Sequence, residues 1–238
     1  MKRTILVNGG SRGIGAAIVR LFAKSGARVV FTYLHSEDAA LALASETGAL
    51  AVKADSRLHD DVRRAVEKAT EEAPIDVLVN CAAKAEFSLF TDLTDEAWHD
   101  MMACNLDGYY YYCREVLPQM ISRKTGRIIN ISSMWGQVGA SCEVHYSTAK
   151  AAVIGMTKAL AKEVGPSGIT VNCVAPGMID TEMNRSIDAA AVDAIREETP
   201  LCRIGTTEDV ARAVLYLAGE GGDFMTGQVI SPNGGLVM

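Results

Sequence analysis

The sequence predicts an α/β fold: one domain over 1–238, a doubly wound, seven-stranded parallel sheet with helices on both faces. Three observations carry this expectation. Short β-branched runs alternate with longer amphipathic segments along the chain, and no repeat, low-complexity stretch or linker interrupts them. The short runs are apolar nearly throughout, the pattern of parallel strands buried on both faces. The 238 residues are 49% hydrophobic and 22% charged, enough apolar material for one large core, at a length that single α/β domains often reach.

The strands are expected at Thr4–Asn8, Arg28–Thr32, Leu50–Lys53, Val77–Asn80, Arg127–Ile131, Thr170–Val174 and Gln228–Ile230. Helical patterns lie near Gly13–Ser25, Asp38–Thr47, Leu58–Glu72, Asp95–Met120 (in two pieces), Tyr146–Val164 and Thr207–Ala218. Thr206-Thr207-Glu208-Asp209 puts hydroxyls and acids at the start of the last of these, where they satisfy free N–H groups and the helix dipole. Such sheets bind ligands beyond the carboxyl ends of their strands, where the strand order switches. The chain ends to watch therefore follow Asn8, Thr32, Lys53, Asn80, Ile131 and Val174.

Composition excludes several function classes. No apolar run reaches the roughly 18 residues of a membrane span. The first ten residues hold a four-residue apolar stretch, too short for a signal-peptide core, so a cytoplasmic location is expected. The net charge is −6 with no Lys/Arg block, which is not the footprint of a nucleic-acid binder. The six cysteines form no C-x-x-C pair, and the four histidines are scattered. The cysteines read as small buried residues kept reduced, and no metal site is expected.

The first strand runs into Gly9-Gly10-Ser11-Arg12-Gly13-Ile14-Gly15. Glycine permits a tight turn and lets backbone N–H groups approach a pyrophosphate at the positive end of a helix. Glycines also serve as plain turn residues, but their place after the first strand of an alternating pattern favours a dinucleotide. Asp55 follows the third strand and Asn80 the fourth. Either points into the same crevice, Asp55 toward the adenine end, or is simply a turn Asp and a strand-end Asn. An NAD-selective site places an acid after the second strand. Here Thr32-Tyr33-Leu34-His35-Ser36 offers none before Glu37, and Arg12 has the guanidinium fork that matches a 2′-phosphate. NADPH is the favoured cofactor; the alternative for Arg12 is a solvated surface charge.

Tyr146 and Lys150 stand four apart at the start of a helical pattern, so both lie on one helix face. A nearby ammonium lowers a phenol from its ordinary pKa of about 10, which fits Tyr146 for acid–base work. Ser133 follows the fifth strand, where its hydroxyl reaches a carbonyl oxygen.

These features resemble the short-chain dehydrogenase/reductase family along essentially the whole chain. The resemblance rests on the glycine loop, Asp55, Asn80-Cys81-Ala82-Ala83, Asn105, Ser133, Tyr146, Lys150, Pro176-Gly177, and the ending Thr226-Gly227-Gln228 with Gly234-Gly235. It implies a single-domain Rossmann fold. It also implies Tyr146 as general acid, Ser133 as the group that polarises the carbonyl, and Lys150 as the residue that binds the nicotinamide ribose and lowers the Tyr146 pKa. Asn105 holds a relay water in this scheme. Pro176, Gly177 and Ile179 through Thr181 border the nicotinamide, with Thr181 on its carboxamide or the phosphates. The expected cofactor contacts are Gly9, Ser11, Arg12, Gly13, Ile14, Gly15, Asp55, Ser56, Asn80, Ala82, Tyr146, Lys150, Pro176, Gly177, Ile179 and Thr181. Three positions depart from the family pattern. Asn8 replaces Thr, Cys81 replaces Asn and Ala83 replaces Gly; none removes a catalytic group.

Within the family the chain looks most like bacterial 3-oxoacyl-[acyl-carrier-protein] reductases, which implies reduction of a β-keto thioester. Arg123, Lys124 and Arg127 form the expected basic cluster for an acidic carrier protein, whereas the loop Gly165-Pro166-Ser167-Gly168 lacks the Arg often found there. The stretch from Ser132 to Tyr146 also resembles reductases of 5-aminopentanone-modified lysine on elongation factor P. Glu143, three residues before Tyr146, is then the candidate partner for the substrate amine, with Glu86 second; the alternative for Glu143 is a solvated loop acid. Trp135 is read as packing over the loop in preference to stacking on substrate. Residues 179–201 are expected to form a lid, with Met178, Met183 and Ile187 lining it or packing it onto the body. Tyr109-Tyr110-Tyr111-Tyr112 covers all sides of a helix and so reads as core plus subunit interface, and the family resemblance implies a homotetramer. The reading from another class is a non-catalytic NADP-binding sensor or scaffold. Against it, Asn105, Ser133, Tyr146 and Lys150 are all present.

Overall fold

The computed structural model describes residues 2–185 and 187–238. Seven parallel strands form one sheet in the order β3-β2-β1-β4-β5-β6-β7. They are β1 Thr4–Asn8, β2 Arg28–Tyr33, β3 Leu50–Lys53, β4 Val77–Asn80, β5 Gly126–Ile131, β6 Ile169–Val174 and β7 Val229–Ile230. The differences from the expected ends follow pairing: Tyr33 continues opposite Lys53, and Gly126 pairs with Ile169. The helices are α1 Gly13–Lys24, α2 Glu37–Thr47, α3 His59–Thr70, α4 Asp95–Met102, α5 Gly108–Arg123, α6 Trp135–Val138, α7 Val144–Val164, α8 Ala189–Glu198 and α9 Thr207–Ala218.

Alternate strand residues point to opposite faces, so each central strand feeds two cores. Ile5, Val7, Phe31, Val79 and Ile129 pack with α1, α2 and α9. Leu6, Val30, Leu78, Ile128 and Val171 pack with α3, α5 and α7. This double burial is why the strands read as continuous apolar runs.

The long pattern Asp95–Met120 divides as expected, but with a π-helical turn, Ala103–Asp107, between α4 and α5. Two helices escape the sequence reading. The four residues of α6 are too few to show a period, and α8 buries none of its residues fully, its Val192 and Ile195 being half-buried. The expected lid near 179–201 contains α8 and a 3₁₀ turn at Glu182–Asn184; residue 186 within it lies outside the described residues. No helix among the described residues is long and apolar enough to cross a membrane.

A buried polar chain joins sheet to helix. Asn80 Nδ2 donates to Asn130 Oδ1 at 2.9 Å, Asn130 Nδ2 donates to Thr157 Oγ1 at 2.9 Å, and Thr157 Oγ1 donates to the Val153 carbonyl at 2.8 Å. It pins α7 to β4 and β5, and α7 carries Tyr146 and Lys150.

At α9 the expected start signal forms a capping box: Thr206 Oγ1 accepts from Asp209 N at 3.2 Å, and Asp209 Oδ2 accepts from Thr206 N at 2.9 Å. Thr206→Ala is expected to cost about 1 kcal/mol and to lower Tm by roughly 2–4 °C. An unchanged melting curve would show that the box adds nothing to α9.

Candidate active site

The carboxyl ends of β1 to β6 open into one cavity of about 710 Å³. Its floor at one end is the glycine turn. Gly9 has φ +78°, and a Cβ there would run into the backbone of Ala82 beyond β4. A Cβ on Gly15 would collide with the Gly9 carbonyl oxygen. The turn therefore closes only with glycine at these places. Arg12, at the cap position of α1, gives no side-chain acceptor to the first helical turn. The N–H groups of that turn and the helix dipole suit an anion. The residues present fit a dinucleotide: Ser11, Arg12, Gly13, Ile14, Gly15, Pro176, Gly177, Ile179 and Thr181 all line the cavity. Thr181 stands beside Gly13, its Cγ2 3.5 Å from where a Cβ on that glycine would lie.

Beyond β2 and β3, the wall is Thr32 to Ser36 with Asp55 and Ser56. Arg57, which sequence reasoning missed, grips the Asp55 carboxylate from Nε (3.0 Å to Oδ1) and NH2 (2.7 Å to Oδ2). This pairing holds Asp55 below the usual carboxylate range. Ser56 Oγ donates to Asn8 Oδ1 at 2.8 Å, and Gly9 N donates to Thr32 Oγ1 at 3.1 Å. Asn8 thus braces the turn through hydroxyl neighbours. Arg12 NH1 lies 3.1 Å from Glu182 Oε2, a half-exposed pair across the mouth of the crevice.

At the far end stand Ser133, Tyr146 and Lys150. Ser133 Oγ accepts from the Trp135 N–H at 3.2 Å, and Met134 N donates to the Pro176 carbonyl at 2.9 Å, which ties the loops after β5 and β6. Tyr146 is 9% exposed and Lys150 1%. Lys150 Nζ donates to the Ile131 carbonyl at 3.0 Å and to the Tyr109 hydroxyl at 3.4 Å, and it lies 5.8 Å from the centre of the Tyr146 ring. The expected lowering of Tyr146 by Lys150 is not what this arrangement gives. Burial dominates and pushes the phenol up to about 12, opposed by the neighbouring Ser133 hydroxyl. Burial also pushes the Lys150 ammonium down to about 8.

Two expected residues do not line the cavity. Asn80 turns its amide into the sheet toward Asn130. Asn105, buried in the π turn, donates from Nδ2 to the Lys84 carbonyl at 3.1 Å and to the Met101 carbonyl at 3.2 Å, and its Oδ1 accepts from Lys84 N at 3.3 Å. Its side chain braces the Lys84 segment. Lys84 itself pairs with Asp100 and with Glu86 (2.9 Å), and Asp100 also accepts from Arg57 at 2.7 Å. This web was not legible in sequence because its members come from two loops and a helix.

The substrate end is lined by Trp135, Glu143 and Met183 together with Phe87 and Lys84. Trp135 packs against the cluster of Met101, Tyr146 and Ala149. Glu143 is 7% exposed, and burial alone shifts it, upward. Its carboxylate makes no hydrogen bond or ion pair among the described residues. Glu143 is thus a largely covered acid on the cavity wall. Glu86, the second candidate, is already paired with Lys84.

The basic cluster falls elsewhere than expected. Arg123 ends α5 and bonds Asp76, just before β4, at 2.8 Å; Arg127, near the start of β5, bonds Asp223 at 2.6 Å. Because α5 runs back against the strands, these residues lie at the amino edge of the sheet, opposite the cavity. Of the tyrosine run, Tyr109 and Tyr112 are fully buried and Tyr110 is exposed. Among the described residues no group of three His, Cys, Asp or Glu is placed to hold a metal.

A family model described as Enoyl-(Acyl carrier protein) reductase matches residues 9–237. The 3-oxoacyl-[acyl-carrier-protein] reductase FabG of Chlamydia trachomatis is 40% identical over 242 residues, covering 99% of this chain and 98% of that protein. The acetoacetyl-CoA reductase of Shinella zoogloeoides is 40% identical over 237 residues, with the same coverage of 99% and 98%. A short-chain dehydrogenase/reductase structure from Brucella melitensis superposes with a TM-score of 0.94 at 33% identity, covering 100% of both chains. With its all-parallel sheet, glycine turn and full-length matches, the chain belongs to the short-chain dehydrogenase/reductase family, oxidoreductases that use a nicotinamide cofactor to interconvert C=O and CH–OH.

Proposed function

We propose that the chain is an NADPH-dependent ketoreductase that reduces a 3-oxoacyl thioester, carried on an acyl carrier protein, to the 3-hydroxyacyl product. The observation that carries this reading is the meeting of Ser133, Tyr146 and Lys150 at one end of the cavity whose other end is the glycine cradle. When bound, the reduced nicotinamide supplies hydride to the carbonyl carbon. The first turn of α1 and the glycine loop hold the pyrophosphate, and Lys150 holds the ribose. Arg12 holds the 2′-phosphate: its exposed pair with Glu182 is weak and leaves most of its donors free. The Ser133 hydroxyl donates to the substrate carbonyl oxygen and polarises it. Burial keeps the Tyr146 phenol protonated across neutral pH, ready to give its proton to the oxygen as negative charge develops there. Asn105 serves as a positioning residue through Lys84. Residues 179–201 close over the substrate and exclude water. Assembly as a homotetramer through α5 and α7, and a cytoplasmic location, belong to the same reading.

One observation favours a second substrate. A buried carboxylate with no partner is costly, and an ammonium brought by the substrate relieves that cost. Glu143 is largely covered and has no ion-pair partner among the described residues, three residues before Tyr146 and on the cavity wall, so an ammonium there meets a carboxylate already facing it. The amine-bearing 5-aminopentanone on elongation factor P fits it, whereas a neutral acyl chain does not need it.

Three outcomes test these assignments. Tyr146→Phe is expected to lower kcat about a hundredfold or more while the fluorescence titration with NADPH is unchanged; turnover near that of the parent chain would remove the phenol from the mechanism. Arg12→Ala is expected to raise KM for NADPH roughly tenfold and to leave KM for NADH alone; equal effects on both cofactors would place Arg12 outside the 2′-phosphate site. The purified chain is then assayed with acetoacetyl-acyl carrier protein and with aminopentanone-modified elongation factor P, each with Glu143→Gln alongside. A roughly tenfold or larger loss of kcat/KM confined to the amine substrate selects the second reading. Fast turnover of the thioester, indifferent to Glu143→Gln, selects the first.

A further inference from the structure

We propose that Tyr109 is a positioning residue for Lys150: its ring and hydroxyl form, with the Ile131 carbonyl, the seat that holds the ammonium at the cofactor end of the cavity. The proposal rests on the reading of Lys150 as the cation of the site. Three contacts make the seat. Tyr109 Oη donates to the Ile131 carbonyl at 3.1 Å. Lys150 Nζ donates to the same carbonyl at 3.0 Å and to Tyr109 Oη at 3.4 Å. The ammonium also stands 5.1 Å from the centre of the Tyr109 ring, within cation–π range. Ile131 closes β5 one residue before Ser132-Ser133, so the seat ties Lys150 to the strand end that carries the carbonyl-binding serine.

The surroundings explain why such a seat matters. The ionisable groups facing Lys150 are the thiols of Cys81 beyond β4, Cys104 in the π turn and Cys173 on β6, and the phenols of Tyr109 on α5 and Tyr146 on α7. Burial pushes the Cys81 and Cys173 thiols up to about 11 and raises Cys104 as well, so they stay neutral at working pH. No carboxylate is among these groups. A buried ammonium without a counter-ion is held by dipoles, and here the dipoles are one carbonyl and one phenol. Tyr109 is itself fully buried and sits where α5 leaves the π turn, a position fixed by packing with Val153 and Cys173.

Tyr109→Phe is a clean probe. It keeps the ring, and it leaves the Ile131 carbonyl bonded to Lys150, so no buried group loses its last partner. Loss of an acceptor favours the neutral amine, so Lys150 gives up its proton at lower pH. Two readouts follow. In the protein without cofactor, the Lys150 side chain is followed by NMR with ¹³C-labelled lysine and assigned by Lys150→Met. Its titration is expected to move down by about half to one pH unit in Tyr109→Phe. In the loaded enzyme, the alkaline limb of kcat/KM is expected to move down by a similar amount, with little change near pH 6. Tyr110→Phe, next door and exposed, leaves both curves in place. If the Phe variant does not fold, 3-fluorotyrosine at position 109 keeps the packing, weakens the acceptor and gives a smaller shift in the same direction. A Lys150 titration that superimposes on that of the parent chain overturns the seat. Full activity of Lys150→Met instead overturns the reading of Lys150, and the NMR titration still decides whether Tyr109 holds it.

Discussion

The parallel pairing of β1 with β2 on one side and β4 on the other is the constraint from which the site follows. The connections leaving β1 and β4 go to opposite faces of the sheet, so no helix can cover the gap between their carboxyl ends. The backbone there must also pass close: Gly9 stands against Ala82, with no room for a side chain. A crevice with a glycine floor and a helix N-terminus at its edge is the direct result. An anion placed there meets N–H groups that no side chain has capped.

The other end of the cavity depends on holding α7 in place. The chain Asn80–Asn130–Thr157 spends buried amide groups on that task, and Asn80 is lost to the cavity as a consequence. The catalytic end is thus a balance of burial against a few well-placed dipoles. Burial keeps Tyr146 protonated and weakens the hold of Lys150 on its proton, and the neighbouring carbonyl and hydroxyls set how far each effect goes. The charged groups that bear on this region among the described residues are the Lys150 ammonium and, acting on Tyr146, the Glu143 carboxylate.

The rim of the cavity follows a different logic. Asp55, Arg57, Asp100, Lys84 and Glu86 are linked charge to charge along the rim, each satisfied by the next. Glu143 stands outside that web and is the more buried for it. Its carboxylate makes no hydrogen bond or ion pair among the described residues, and the two proposed substrates differ in whether they bring it a cation. The basic residues Arg123 and Arg127, spent on Asp76 and Asp223 at the opposite edge of the sheet, do not mark the mouth of this cavity.

The sequence by itself determined the layer architecture and the cofactor cradle. Both depend on local signals: apolar runs as long as strands, glycines at a strand-to-helix turn, and a Tyr and a Lys one helical turn apart. It missed α6 and α8: one has only four residues, and the other sets only Val192 and Ile195 among alanines and charged residues. It placed Asn80 at a strand end and Asn105 within a helical pattern, and could not say which way their amides turn. Only the tertiary structure decided those orientations, the Tyr109–Ile131–Lys150 contacts, the Arg57 grip on Asp55 and the isolation of Glu143. Apart from Arg57 and Asp55, two residues apart in one loop, these arrangements involve residues from separate crossovers, and spacing along a chain carries no information about which distant groups packing will bring within hydrogen-bond reach or leave without a partner.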